Sequence, residues 1–272
     1  RRRAARAAHL CVLGLLTGLL WTTAYGTLFL KPLASLSEER AAYTVRVLEQ
    51  AERTDYGWRA AVLVPVGGRG FEGVLYWEDD PPSVPQPGDT IKCDATAHRT
   101  DAQDELYVRA RGTMLTLRAS SVTLMPCARP SVRFFPARLS ARLQALCAEI
   151  FPEDVRGLFL ALLTGVRTGL SEADTVSLQQ AGVYHAVAIS GMHVSILVWM
   201  ISGAIRSRRL KLFVCVPVLI LFTLMTGASP STVRAGLMQA LLIYAPLMKR
   251  EYDAPTALAA ALLMLLVQDP WC

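Results

Sequence analysis

Between Leu10 and Leu30 the chain runs 21 residues without a charge, directly behind Arg1, Arg2, Arg3 and Arg6. As a helix rising about 1.5 Å per residue, such a run measures about 31 Å, the thickness of a bilayer hydrocarbon core. It exceeds the apolar stretch of an ordinary signal peptide, and no small-residue cleavage site follows it. Four more apolar runs lie near the other end, at Val183 to Ile205, Leu212 to Ala228, Ser231 to Met248 and Thr256 to Val267. A composition 53% hydrophobic and only 18% charged is too oily for an ordinary soluble domain. The expected fold is therefore a multi-span α-helical membrane protein with an inserted small all-β module, an OB-like barrel, on the extracytoplasmic side. It divides into an N-terminal transmembrane segment (1–30), the β module (31–132), an amphipathic or re-entrant helical segment (133–182) and a transmembrane core (183–272).

The charges carry a topology signal. Residues 31–182 hold 17 Lys and Arg against 19 Asp and Glu, whereas the two flanks hold 11 against 3. The net charge of +6 is thus concentrated beside the apolar runs and does not form a nucleic-acid-binding surface on the polar stretch. Arg206, Arg208, Arg209 and Lys211 separate two runs, and Lys249 with Arg250 separates two others. Placing every basic cluster inside puts the N-terminus in the cytoplasm and the β module outside. Val155 to Val166 is apolar over 12 residues, too short to cross, and is expected to be interfacial or re-entrant.

From Ala41 to Leu124 the pattern is alternation. Tyr43–Leu48, Trp58–Val66, Phe71–Trp77, Thr90–Ala95, Leu106–Ala110 and Met114–Leu117 are the expected strands, divided by Gly67-Gly68, Pro81-Pro82 and Pro85-Gln86-Pro87-Gly88-Asp89. Strands this short and numerous suit a small closed barrel. Such barrels stack single-stranded bases on aromatic rings, so Trp58, Tyr107, Arg109 and Arg111 are the candidate contacts in the module. Against that, residues 39–130 hold 11 basic and 13 acidic side chains, and aromatics at alternating strand positions are usually core.

Cys93 and Cys127 lie in a compartment where thiols oxidise and form a candidate disulfide. No CxxC, HxH or HExxH occurs among the six cysteines and four histidines, so neither a metal site nor a cofactor is expected. The chain starts at Arg1 and stops soon after an apolar run, as an excerpt would.

Polar residues concentrate where the second long run begins, in Gly182-Val-Tyr-His185-Ala-Val-Ala-Ile-Ser190-Gly191-Met-His193-Val. At about 100° per residue Ser190 and His193 share one helix face, with Gly191, Ser195 and Ser202 forming a small-residue stripe roughly opposite. Small stripes let helices approach closely. An ionisable group such as His193 in an apolar run points to function. Nucleophilic catalysis by Ser190 with His193, as in an intramembrane serine protease, is the least favoured reading, because no acid orients the base and no GxSxG elbow is present. No catalytic residue is assigned. A solute transporter is the other alternative, although matched internal repeats are not evident.

This segment resembles the G-x-x-H-x-x-A-I-S-G-x-H-V signature of the ComEC-type competence proteins. Upstream, Ala161-Leu-Leu-Thr-Gly165-Val-Arg167-Thr-Gly169-Leu is similar to that family's A-L-L-x-G-x-R-x-x-L segment; downstream comes Thr226-Gly227-Ala-Ser229-Pro230-Ser231-Thr-Val-Arg234-Ala235. Val166 departs from the family, which commonly has an acidic residue there. The resemblance implies an inner-membrane channel component that passes single-stranded DNA into the cytoplasm during natural transformation. The channel-lining set would be His185, Ser190, Gly191, His193, Ser229, Ser231, Arg234 and Gln239, with Gly165 and Arg167 in the re-entrant motif. Ser229 is a good N-cap and Pro230 a good first helical residue, so a helix should start there with N–H groups that favour phosphate. The implied partners are single-stranded DNA, membrane lipid, an outside DNA receptor and, since no P-loop is present, a separate ATP-driven motor; homo-oligomerisation is also open. The metallo-β-lactamase-like domain of many family members is not among these residues.

Overall fold

The computed structural model describes residues 2–29, 40–54, 57–99, 113–125, 127, 131–165, 170, 172–184, 191–268 and 270. Six strands follow the first helix: β1 (Arg40–Val47), β2 (Glu52–Thr54), β3 (Gly57–Val66), β4 (Arg69–Trp77), β5 (Thr90–Arg99) and β6 (Leu115–Met125). Their order in the sheet is β1-β5-β6-β4-β3-β2. A further β1–β3 pairing closes five of them into a barrel, with β2 a short outer strand on β3. Every pairing is antiparallel except β4 with β6. This is the connection pattern of an OB-type barrel, as the alternation predicts. The expected strand Leu106–Ala110 lies outside the described residues.

The alternation works because every second residue points inward. Val45, Val47, Val62, Val64, Leu75, Ile91, Leu115 and Leu117 are all 1% exposed or less and form the barrel core. Gly73 is needed where the parallel contact forms. It pairs with Leu115, and a Cβ there would come within 2.8 Å of the Leu115 carbonyl oxygen. Cys93 also points into this core. Its burial, with Asp94 beside it, pushes the thiol up to about 11, so the reactive thiolate is scarce at neutral pH. No disulfide joins it to Cys127, which corrects the expected bridge. Cys93 faces Val122 across the β5–β6 ladder, so Cys127 lies five positions further along, roughly 16 Å at strand spacing and far outside disulfide reach.

The helices are α1 (Arg2–Phe29), α2 (Phe135–Ile150), α3 (Glu153–Thr164), α4 (Glu172–Gln180), α5 (Gly191–Ala204), α6 (Arg208–Met225), α7 (Pro230–Tyr244) and α8 (Ala254–Gln268). Here the fold class has to be corrected. Among the described residues no helix is long and apolar enough to cross a membrane, so a multi-span helical membrane protein is not supported. Helices α5, α7 and α8 have 14, 15 and 15 residues, about 21–23 Å each against a hydrocarbon core of about 30 Å. The 18-residue α6 begins with Arg208, Arg209 and Lys211. Helix α1 is long but interleaves Gly14, Gly18 and Gly26 with Thr17, Thr22, Thr23 and Thr27 behind its arginines. Several of these hydroxyls turn back onto backbone carbonyls of the preceding turn.

Helix α7 is the centre of the helical part, packing against α5, α6 and α8. Val194 and Val198 of α5 meet Leu219 of α6, with Phe222, Ala235 and Ile243 around them. Gly236 permits the closest approach of α7 to α6: a Cβ there would lie 3.3 Å from the Thr223 hydroxyl. Helix α1 joins this group through Trp21, whose Nε1 donates to the Leu266 carbonyl at 3.0 Å.

Candidate functional site

The turn from α6 into α7 is built by its sequence. Gly227 (φ +74°) and Ala228 (φ +49°) both adopt left-handed backbone, which stops α6 and re-aims the chain. Ser229 then caps α7, with its side chain accepting from the Thr232 N–H and Pro230 in the first turn, as the sequence predicts. The Ser229 hydroxyl is also within bonding distance of the Thr232 hydroxyl (2.7 Å) and the Ser231 hydroxyl (3.1 Å). Thr232 is fully buried. Arg234 lies two residues on, about 200° around the helix from Thr232. It is exposed and makes no ion pair among the described residues.

The barrel reaches this same turn. A Cβ on Gly227 would sit 2.9 Å from Oε1 of Glu49, in the segment between β1 and β2. The Glu49 carboxyl is pushed above its usual range by desolvation and by Glu52 and Glu72, with Arg59 opposing. Glu72 is raised as well, by burial, against the pull of Arg133.

Across α5 and α7 the polar residues sort into two groups. The Nε2 of Gln239 donates to the Ser195 hydroxyl at 2.8 Å, and that hydroxyl donates to the Gly191 carbonyl one turn back at 2.8 Å. Gly191 itself approaches Ala235, with 3.4 Å between a built Cβ and the alanine's. Gly191 and Ser195 therefore face α7. His193, about 200° from each, is half-buried on the other side of α5. The expected lining set thus divides. Gly191 and Gln239 belong to the α5–α7 contact, Ser229 and Ser231 to the cap, Arg234 to the exposed side of α7, and His193 to the far side of α5. His185 and Ser190 lie outside the described residues, as does Arg167. Gly165 ends α3 in left-handed backbone at φ 80°, its N–H donating to the Ala161 carbonyl. Ser195 was read as a packing residue only. Its role as the partner of Gln239 needed the α5–α7 register, which no local pattern carries.

In the barrel, Trp58 stacks nearly parallel on Trp77, with ring centroids 6.2 Å apart. Its Nε1 donates to Asp80 at 2.9 Å. The half-buried ring is thereby fixed against the core. Tyr107, Arg109 and Arg111 lie outside the described residues.

The competence protein family matches residues 162–272, the stretch that holds α4 to α8 and all three motifs almost entire. That stretch, 162–272, is similar to the competence protein family. ComE operon protein 3 of Bacillus subtilis (strain 168) is similar to the chain, 28% identical over 160 residues that make up 56% of this chain and 20% of that protein. The chain thus spans about a fifth of the length of that relative. No solved structure matches. Within the matched stretch lie the capped α7 N-terminus, Arg234, His193 and the Ser195–Gln239 bond, whereas the OB-type barrel lies wholly before it.

Proposed function

We propose that this chain acts in DNA uptake during natural transformation, and that single-stranded DNA moves along the exposed side of α7 on its way into the cytoplasm. The observation that carries this reading is Arg234. It stands exposed, with no ion pair among the described residues, in the first turns of a helix whose start is fixed by Ser229 and Pro230, inside the stretch similar to the competence family. A guanidinium beside a helix N-terminus is a favourable place for a phosphodiester, since both the charge and the helix dipole attract an anion. His193 supplies a second polar contact on α5. A membrane location, which the competence family suggests, fits the apolar side chains left on the helix surfaces, among them Trp199, Phe213 and Leu263, at 75%, 75% and 67% exposed. Movement of the strand is driven from outside this chain, by an ATP-consuming partner on the cytoplasmic side, with a DNA receptor delivering the strand from the other.

The test is transformation by cells carrying Arg234→Ala or His193→Ala at normal protein levels. Both are expected to lower transformation at least about ten-fold, which corresponds to about 1.4 kcal/mol. Normal transformation in both would remove this route.

A further inference from the structure

Outside the stretch similar to the competence family, the Pro81–Asp89 loop and α2 line a cleft. It measures about 560 Å³ and is lined by Ser83, Val84, Gln86, Asp89, Arg138 and Arg142. A second hollow of about 290 Å³ adjoins it along α2, sharing both arginines and adding Val132, Phe135 and Leu139. Arg138 is oriented by the loop: its Nε donates to the Pro87 carbonyl at 2.9 Å. Its Nη2 lies beside Gly88, where a built Cβ would be 3.4 Å away. Arg142 stands one turn further along the same helix, exposed, with no bond to another side chain among the described residues. Like charges at this spacing repel, and neither arginine makes an ion pair among the described residues. Asp89 does not serve. It is 7% exposed, and its two oxygens are taken by the backbone N–H groups of Gln86 and Cys127, each at 2.9 Å.

The hollow thus offers two guanidinium groups, one of them pre-aimed, beside a carboxylate, Asp89, that makes no ion pair with either among the described residues. Forked N–H donors of this kind match phosphate oxygens. On one side stand Ser83 and Gln86, hydrogen-bonding groups suited to a sugar-phosphate. On the other are Phe135 and Val132, 55% and 87% exposed, an aromatic and an aliphatic surface on which a base can stack. The joined space holds more than a lone phosphate. We infer that the cleft between the proline-rich loop and α2 is a single-stranded nucleic-acid site, with a phosphate held by Arg138 and Arg142 and a neighbouring base stacked on Phe135. The inference rests on the proposed role in DNA uptake for its ligand and places an entry contact beside the barrel, remote in sequence from Arg234.

The experiment uses the full chain and a fluorescein-labelled oligothymidine, followed by anisotropy across a salt series, with vesicles containing phosphatidylglycerol as the parallel probe. Arg142→Gln loosens no side-chain bond among the described residues and is expected to weaken oligomer binding at least five-fold and to flatten its salt dependence by somewhat under one unit of log–log slope. Phe135→Leu is expected to weaken binding while leaving the slope unchanged. Arg138→Lys, which keeps the charge but loses the fork, is expected to fall between wild type and Arg142→Gln. Oligomer affinity unchanged in both Arg142→Gln and Phe135→Leu overturns the inference, as does arginine-dependent binding to the vesicles with none to the oligomer. Either result leaves the transformation defect of Arg234→Ala intact. Conversely, normal transformation by both Arg234→Ala and His193→Ala removes the proposed route without altering these affinities.

Discussion

Gly227 is a residue where two demands meet. Its φ of +74° is costly for any side chain, and the space a Cβ would occupy is already held by the Glu49 carboxyl. Gly227→Ala is expected to destabilise the protein by about 1–3 kcal/mol, the cost of left-handed backbone in a residue with a side chain, read as a lower denaturant midpoint at unchanged slope. Glu49 adds a pH dependence of definite sign. Its folded pKa is raised above the unfolded value, so the folded state binds the proton more tightly and stability falls as pH rises from the unfolded toward the folded pKa. Glu49→Gln should therefore raise Tm at neutral pH, and the gain should vanish once the solution is acid enough to protonate the glutamate in both states. A gain that persists unchanged at low pH would mean that Glu49 is not the group responsible. None of this was legible in the sequence, because Glu49 and Gly227 are 178 positions apart and only the folded chain brings them together.

Element by element, the local signals were read where the physics is local. Strand alternation located the barrel, since inward and outward positions alternate along each strand and the inward ones are Val, Leu and Ile. The start of α7 was legible to the residue, because Ser229 and Pro230 are a cap and a first-turn residue whatever surrounds them. The length of the apolar helices was not. Hydropathy registers how oily a run is and passes over the turn at Gly227 and Ala228, the Pro246 turn after α7 and the three charges at the start of α6. The cap and the α5–α7 bond can be weighed directly. Ser229→Ala is expected to cost about 1 kcal/mol. In a double-mutant cycle, Ser195→Ala and Gln239→Ala should couple by about 0.5–1.5 kcal/mol; additive effects would show that the bond adds no stability.

For the whole molecule, the separation of parts is the main structural result. The stretch similar to the competence family holds α4 to α8, and the barrel precedes it with its own closed core. The two meet at Glu49 and Gly227, and Arg69 of β4 donates to the Leu28 carbonyl near the end of α1 at 2.7 Å. The likeness to the competence family was legible from three short motifs in order, while the membrane-spanning reading, drawn from the apolar runs, their basic flanks and the composition, is not supported, since no helix among the described residues is both long and apolar enough to cross. A role in DNA uptake makes its clearest prediction about where donor DNA stops. In cells lacking this protein, radiolabelled duplex should still bind at the surface in normal amounts, while single-stranded label recovered from the cytoplasm should fall to background. Cytoplasmic single strands at the wild-type level in those cells would contradict the account.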